Sequence, residues 1–240
     1  MASKCENILQ KKHSKTPDEL QNMPLNQAFT ELLGKFKVKR ASLREGGKPE
    51  APYKSHWKDY EKKTNPRPTK LVRLAQEVAD MSNSLPVCAE NSIFVTVDYQ
   101  RADYMKAMIF GAQGTPYGHG AFLFDIFFPD TYPQDPPKMN LMTTGGGQVR
   151  FNPNLYNSGY VCLSLLGTWG HDWLPKVSTA YQCLIAIQAI VMGNDIYFNE
   201  PGWTNSKGTE EGELRNNGYK NVVRYANLKY AIIEQLRNPS

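Results

Sequence analysis

The chain has 240 residues, of which 40% are hydrophobic and 21% are charged, and its formal net charge is +5. We expect neither secretion nor membrane insertion, because no apolar run approaches the roughly 20 residues that span a bilayer and no apolar segment follows a basic start. Four scattered cysteines favour a reducing compartment, so we expect a cytoplasmic or nuclear location, and the few histidines suggest no metal site.

The positive charge is concentrated in the first 70 residues, which contain 16 Lys and Arg against 8 Asp and Glu. Such a basic arm is either a solvated tail or a contact for nucleic acid or membrane, and we favour the tail because no nucleic-acid motif accompanies it. Within it, helical spacing of apolar residues predicts a short amphipathic helix at 25–37, which either docks on the domain or binds a partner. We expect residues 1–66 to form a partly disordered extension and residues 67–240 to form the folded domain.

The folded part begins with a predicted helix at 69–84, which ends before Pro86. Its apolar positions fall on one face: Leu71, Leu74, Val78 and Met81. Four apolar stretches then predict short strands, at 93–97, 105–110, 121–128 and 139–142. Short links between consecutive strands favour a four-stranded antiparallel meander, so the fold class is α/β.

Residues 144–177 have no regular pattern, and such a long irregular stretch inside a compact domain is usually functional. Ser178 or Thr179 can cap a following helix, whose apolar surface is broad enough for burial behind the sheet. A last helix is predicted at 213–237, with Gly218 as a candidate break. Its apolar positions are Val222, Tyr225, Leu228, Ile232 and Leu236.

Within the irregular stretch, Cys162 follows Asn154 by eight residues, and Asn157-Ser158-Gly159 predicts a turn between them. A lone cysteine is most often an inert core residue. A thiol can also carry an acyl group as a thioester, because sulfur attacks and leaves readily. An Asn side chain can stabilise the oxyanion that forms when such a thioester is attacked.

Three motifs follow one another along the chain: Tyr132-Pro133-Gln134-Asp135-Pro136-Pro137-Lys138, Asn152-Pro153-Asn154 before Cys162, and Trp173-Leu174-Pro175. Their order and spacing resemble those of ubiquitin-conjugating enzymes. The chain resembles this family from about Leu71 to its C-terminus. Segments such as 197–202 and 234–239 are similar to the conjugating domain of the BRUCE/Apollon-type conjugating enzyme–ligase hybrids. The resemblance implies the ubiquitin-conjugating fold, with an N-terminal helix, the meander, a central helix and C-terminal helices.

The resemblance also implies a reaction. Cys162 would accept ubiquitin from the activating enzyme as a thioester and pass it to a substrate lysine, with no cofactor. Asn154 either stabilises the oxyanion or only braces the loop. Glu200 corresponds to an acidic position near the family's cysteine, where it either helps the lysine to lose its proton or is a plain surface carboxylate. Asp172 and His171 are rivals for that role.

Several residues are implied to support the loop or to set specificity. Asn152 stands where the family has His, and we expect it to brace the loop by hydrogen bonds. Pro153, Tyr132 and Pro133 are expected to support the same loop. Ser164 stands where many ubiquitin-specific relatives have Asp, which leaves another ubiquitin-like modifier as an alternative.

Partners follow from the same resemblance. Lys70 and Arg73 resemble the basic face that meets the activating enzyme, and Gln134 and Pro175 lie where relatives contact ubiquitin ligases. Gln134 is polar where many relatives have a large apolar anchor, which implies less reliance on separate ligases. Two other functions stay open, a non-catalytic ubiquitin-binding module and a nucleic-acid-associated scaffold. Cys162 argues against the first, because such modules lack the cysteine.

Overall fold

The computed structural model describes residues 17–45, 48–49, 66–168 and 173–238. The α-helices are α1 Pro17–Gln21, α2 Leu25–Leu33, α3 Pro68–Ser84, α4 Ala180–Ala186, α5 Glu210–Ala226 and α6 Glu234–Arg237. The strands are β1 Val38–Ala41, β2 Arg44–Glu45, β3 Lys48–Pro49, β4 Ile93–Asp98, β5 Tyr104–Phe110, β6 Ala121–Phe127 and β7 Lys138–Leu141. Short 3-10 helices lie at Gly34–Phe36, Ser164–Leu166, Tyr197–Asn199 and Pro201–Ser206, and π-helical turns at Ile187–Val191 and Asn227–Ile233.

The central sheet contains five strands in the order β1-β4-β5-β6-β7. Strands β4 to β7 pair antiparallel, which confirms the predicted meander. The expected four-stranded sheet is nevertheless incomplete, because β1 pairs in parallel with β4 and places Val38 opposite Val95. The sheet is therefore mixed, with β1 at one edge and β7 at the other.

The predicted amphipathic helix exists as α2 and the 3-10 turn that follows it. The side chain of Asn26 donates to the carboxylate of Glu90 at 3.0 Å, and the hydroxyl of Thr30 donates to the carbonyl of Val87 at 2.9 Å. Leu43, just after β1, is buried beside the sheet. Of the two alternatives, the structure therefore shows docking on the domain. Residues 1–16, 46–47 and 50–65 lie outside the described part.

The central helix α4 begins where the sequence indicates. The hydroxyl of Thr179 accepts from the backbone of Gln182, whose side chain in turn accepts from the backbone of Thr179, which completes a capping box. The helix packs into the main hydrophobic core, where Cys183 is fully buried. Burial raises the pKa of the Cys183 thiol to about 12, so this cysteine stays protonated and acts as a packing residue.

The last helix differs from its prediction. It begins at Glu210 and runs through Gly218 without a break. Of its predicted apolar positions, four are exposed: Val222, Tyr225, Leu228 and Leu236. The core contact is made by the neighbouring residues Val223, Ala226, Tyr230 and Ala231. The helix carries apolar residues on both sides, so their spacing alone does not show which side packs on the core. None of the helices in the described ranges has the length and apolar character required to cross a membrane.

A buried carboxylate lies in the middle of the sheet. Asp125 on β6 is 2% exposed and stands between Lys106 on β5 and Asn140 on β7. Neither of its carboxylate oxygens has a hydrogen-bond partner within the described part of the chain. Burial raises the pKa of Asp125 to about 8, against the opposing effect of the Lys106 charge.

This carboxylate predicts a pH dependence of stability. Because the pKa of Asp125 is higher in the folded than in the unfolded chain, protonation favours folding, and that stabilisation is lost as the pH rises from about 4 towards 8. We expect Asp125→Asn to be more stable than the wild type at pH 8. The free energy of unfolding of the wild type should fall with pH by at most about 1.4 kcal/mol per pH unit because of Asp125, and this decrease should be absent in Asp125→Asn. Urea unfolding between pH 5 and pH 9 measures this, with the exposed Asp80→Asn as control. Parallel slopes for wild type and Asp125→Asn would contradict it.

Candidate active site

The cysteine loop, residues 151–163, folds back along the free edge of β7. The backbone N–H of Leu141 donates to the carbonyl of Gly159 at 2.7 Å, and the N–H of Tyr156 donates to the carbonyl of Tyr160 at 3.0 Å. Gly159 has a φ of 90°, and a Cβ there would lie 2.6 Å from the Leu141 oxygen. Only glycine fits this position. The predicted turn is therefore confirmed, and it anchors the loop to the sheet.

Asn152 holds the start of this loop from inside the domain, where it has no exposed surface. Its amide nitrogen donates to the carbonyl of Val191 at 2.8 Å and to the hydroxyl of Tyr117 at 3.2 Å. Its amide oxygen accepts from the backbone N–H of Asn154 at 2.9 Å and from the side chain of Asn199 at 3.3 Å. The side chain thus joins four separate segments, as a structural brace must.

Asn154 is bonded directly to the backbone of the cysteine. Its side-chain amide donates to the carbonyl of Cys162 at 2.8 Å, and its own carbonyl accepts from the N–H of Cys162 at 2.9 Å. An Asn amide has two hydrogens, so one is used in the brace and the second can serve another acceptor. These bonds brace the loop, and they leave the second amide hydrogen of Asn154 available for an oxyanion.

Cys162 lies in a surface loop, but the residue itself is largely buried. The residue is only 5% exposed, and its Sγ lies 3.7 Å from the hydroxyl of Thr168. That hydroxyl also accepts from the N–H of Leu163 at 2.7 Å, so the turn after the cysteine folds back over it. Cys162 nevertheless differs from Cys183, because it does not belong to the hydrophobic clusters of the described residues.

Thr168 was not singled out from the sequence, because it lies six residues after the cysteine with no motif around it. It also lines a cavity of about 670 Å³ on the outer side of the loop. The other walls come from the Pro-rich loop, β7 and the cysteine loop: Pro129, Pro136, Met139, Tyr160, Val161 and Leu166. Val161 and Thr168 therefore bring this cavity close to Cys162 along the chain, although Cys162 itself does not line it.

Glu200 is connected to the cysteine loop through Arg150, which sequence reasoning also missed. The Arg150 guanidinium lies 3.3 Å from the carboxylate of Glu200 and 2.6 Å from the carbonyl of Pro153. It also lies 4.2 Å from the centre of the Tyr156 ring. Both charged side chains are partly exposed, at 40% for Arg150 and 35% for Glu200. The expected acid is thus beside the loop, and an arginine holds it there.

The Pro-rich loop is fixed by a buried carboxylate on α3. Glu77 accepts from the hydroxyl of Tyr132, from Arg73 and, at 2.9 Å, from the N–H of Ala180 at the start of α4. Burial and the neighbouring Glu77 raise the pKa of Tyr132, so its hydroxyl stays protonated and donates. The indole of Trp173 donates to the carbonyl of Pro133 at 2.8 Å. Tyr132 and Pro133 therefore connect α3, α4 and the segment after the cysteine loop.

The expected basic face for the activating enzyme is not present in the predicted form. Lys70 is fully buried and lies 3.0 Å from Asp103 and 3.3 Å from Asp130. Burial opposes ionisation of Asp103, but hydrogen bonds from Arg101 and Lys70 outweigh it and lower the pKa of that carboxyl. Arg73 is half-buried and bonded to Glu77. Both cations therefore serve internal pairs. Helical periodicity could not indicate the burial of Lys70, because its partners Asp103 and Asp130 lie far along the chain, whereas the partner of Arg73 is one turn away on the same helix.

The remaining predicted residues are spread over the neighbouring surface. Gln134 is exposed, and Pro175 is half-buried with its carbonyl 3.5 Å from Arg73. Leu174 and Val177, close to Pro175 in sequence, are exposed apolar residues. Asp172 and His171 lie outside the described residues. Within those residues, no cluster of three or more His, Cys, Asp or Glu could hold a metal ion.

Several known proteins are similar to this chain over most of its length. The human and mouse proteins named "Dual E2 ubiquitin-conjugating enzyme/E3 ubiquitin-protein ligase BIRC6" are each 48% identical over 172 residues, which cover 70% of this chain and 4% of theirs. The "Probable ubiquitin-conjugating enzyme protein 17" of Caenorhabditis elegans is also 48% identical, over 70% of this chain and 24% of its own length. The chain thus spans a quarter or less of these relatives.

A solved structure, a ubiquitin conjugating enzyme E2 domain from Toxoplasma gondii, is 25% identical with a TM-score of 0.49, covering 68% of this chain and 99% of that one. The family model described as "Ubiquitin-conjugating enzyme" matches residues 73–224, which include most of α3, the meander, the cysteine loop and α4. This match takes in more than half of the chain and every loop described above. The chain therefore belongs to the ubiquitin-conjugating enzyme family.

Proposed function

We propose that this chain accepts ubiquitin from the activating enzyme as a thioester on Cys162 and transfers it to lysine side chains of substrate proteins. The observation that carries the proposal is the free thiol of Cys162, a residue whose backbone N–H and carbonyl are both bonded to Asn154 inside the part of the chain that matches the family. Substrate proteins, the activating enzyme and ubiquitin ligases are its proposed partners.

Both steps are acyl transfers to or from sulfur. In loading, the Cys162 thiolate attacks the carbonyl carbon of the ubiquitin thioester on the activating enzyme, a new C–S bond forms, and the activating enzyme's thiolate leaves. In transfer, the lysine nitrogen attacks the same carbon, a C–N bond forms, and Cys162 leaves as the thiolate. The proton of the lysine passes to the carboxylate of Glu200. The second amide hydrogen of Asn154 donates to the oxyanion between these events.

The small exposure of Cys162 supports a narrow acyl chain as its cargo. Ubiquitin ends in glycine, which has no side chain and can approach a recessed sulfur closely. The amine of a lysine lies at the end of four methylene groups, so it too can reach a recessed atom. A bulky acyl group would meet the turn that Thr168 closes.

Loading is tested first. Wild type incubated with activating enzyme, ATP and ubiquitin should give a thiol-sensitive adduct on a non-reducing gel, and Cys162→Ala should give none. Cys88→Ala is the matched control, because Cys88 is another free cysteine outside the fully buried core and should leave the adduct unchanged. Parallel reactions with other ubiquitin-like modifiers and their own activating enzymes identify the cargo, which Ser164 leaves open.

Two results would overturn the proposal. A chain that is never loaded by any modifier would be a binding module or scaffold instead of an enzyme. An adduct that persists in Cys162→Ala would place the chemistry on another residue.

The role of Asn154 is separated by comparing the two steps. We expect Asn154→Ala to load ubiquitin within a few-fold of wild type but to discharge it to free lysine on the order of a hundredfold more slowly, because the oxyanion loses a donor. Asn157→Ala is the control, since Asn157 lies in the same loop and its side chain donates to the carbonyl of Gly147 at 3.0 Å. Equal losses in loading and discharge would show that Asn154 only braces the loop.

A further inference from the structure

Arg150 lies at a junction between three parts of the domain. Its guanidinium contacts the cysteine loop at Pro153 and Tyr156, and it contacts Glu200 on the loop between α4 and α5. Its backbone carbonyl accepts from the hydroxyl of Tyr219 on α5 at 3.2 Å. A planar guanidinium with several donors suits such a junction, because it can stack on a ring and donate to two acceptors at once.

We propose that Arg150 is a positioning residue for the transfer step, and that it acts by holding the Glu200 carboxylate against the cysteine loop. This inference rests on the proposed function. Pro153 immediately precedes Asn154, which is bonded to Cys162. Glu200 is therefore connected through Arg150 to Pro153, the residue next to Asn154, which is bonded to Cys162. Because these contacts hold the Glu200 carboxylate in place, the incoming lysine meets it in a fixed position. Proton transfer requires such a fixed position.

The exposure of the Arg150–Glu200 ion pair indicates that it serves the reaction more than the stability of the fold. Arg150 and Glu200 are 40% and 35% exposed, and ion pairs of that exposure contribute little to stability because water screens them. Arg150 therefore differs from Arg73, whose partner Glu77 is fully buried. Replacing Arg150 should leave the domain folded and release Glu200 from its place.

The test uses the loaded 240-residue chain and two nucleophiles. We expect Arg150→Ala to load normally and to discharge to free lysine about tenfold or more slowly than wild type. Discharge to hydroxylamine, which is uncharged at neutral pH and does not need a carboxylate to remove its proton first, should be unchanged. Arg150→Lys should recover part of the lysine rate, because Lys keeps the charge but loses the planar contacts. Arg224→Ala is the control, since Arg224 is an exposed arginine of α5 bonded to Asn221.

A double substitution shows whether Arg150 acts through Glu200. If it does, Arg150→Ala combined with Glu200→Gln should be no slower than Glu200→Gln alone. Two results would overturn the inference. Discharge to lysine and to hydroxylamine could be slowed equally, which would show a general disturbance of the loop. Alternatively, the rate losses of the two single variants could multiply in the double variant, which would show independent roles. Failure of wild type to load would be a different result, because it overturns the proposed function and this inference with it.

Discussion

The side-chain amide of Asn152 uses all of its hydrogen-bonding capacity inside the protein. It donates to Val191 and Tyr117, and it accepts from Asn154 and Asn199. Because the residue is fully buried, each lost partner would leave a polar group without water, which costs about 1–3 kcal/mol. The cysteine loop, the end of the central helix and the segment before Glu200 are therefore constrained to one arrangement, and the position of the Cys162 sulfur depends on it.

A second buried network supports the same site from the opposite side. Glu77 collects hydrogen bonds from Arg73, Tyr132 and the first turn of α4, and Trp173 adds a bond to the adjoining proline loop. Both networks include bonds between residues that are far apart in sequence, such as Asn152 with Val191 and Glu77 with Ala180. The proposed chemistry contains no strong base beside the cysteine, so it depends on such placement more than on an activated nucleophile.

The sequence alone predicted the elements that depend on local residue patterns. Alternating and helical patterns predicted the meander and the central helix, and the cysteine turn was indicated by its own residues. Strand β1 was missed because Val38–Ala41 is short and basic, and its pairing with β4 is parallel and distant in sequence. The burial of Lys70 was missed because its partner Asp103 belongs to another element. Arg150 and Thr168 were missed for the same reason, since their contacts exist only in the folded chain.

Amide hydrogen exchange at Cys162 is the most direct measurement of whether Asn152 sets the active-site loop. In wild type, the N–H of Cys162 is bonded to the Asn154 carbonyl and should exchange slowly. In Asn152→Ala, its exchange should become much faster, while the amide of Ala107 in β5 stays protected. Unchanged protection at Cys162 in Asn152→Ala would contradict the account, because the loop would then hold its shape without the buried amide.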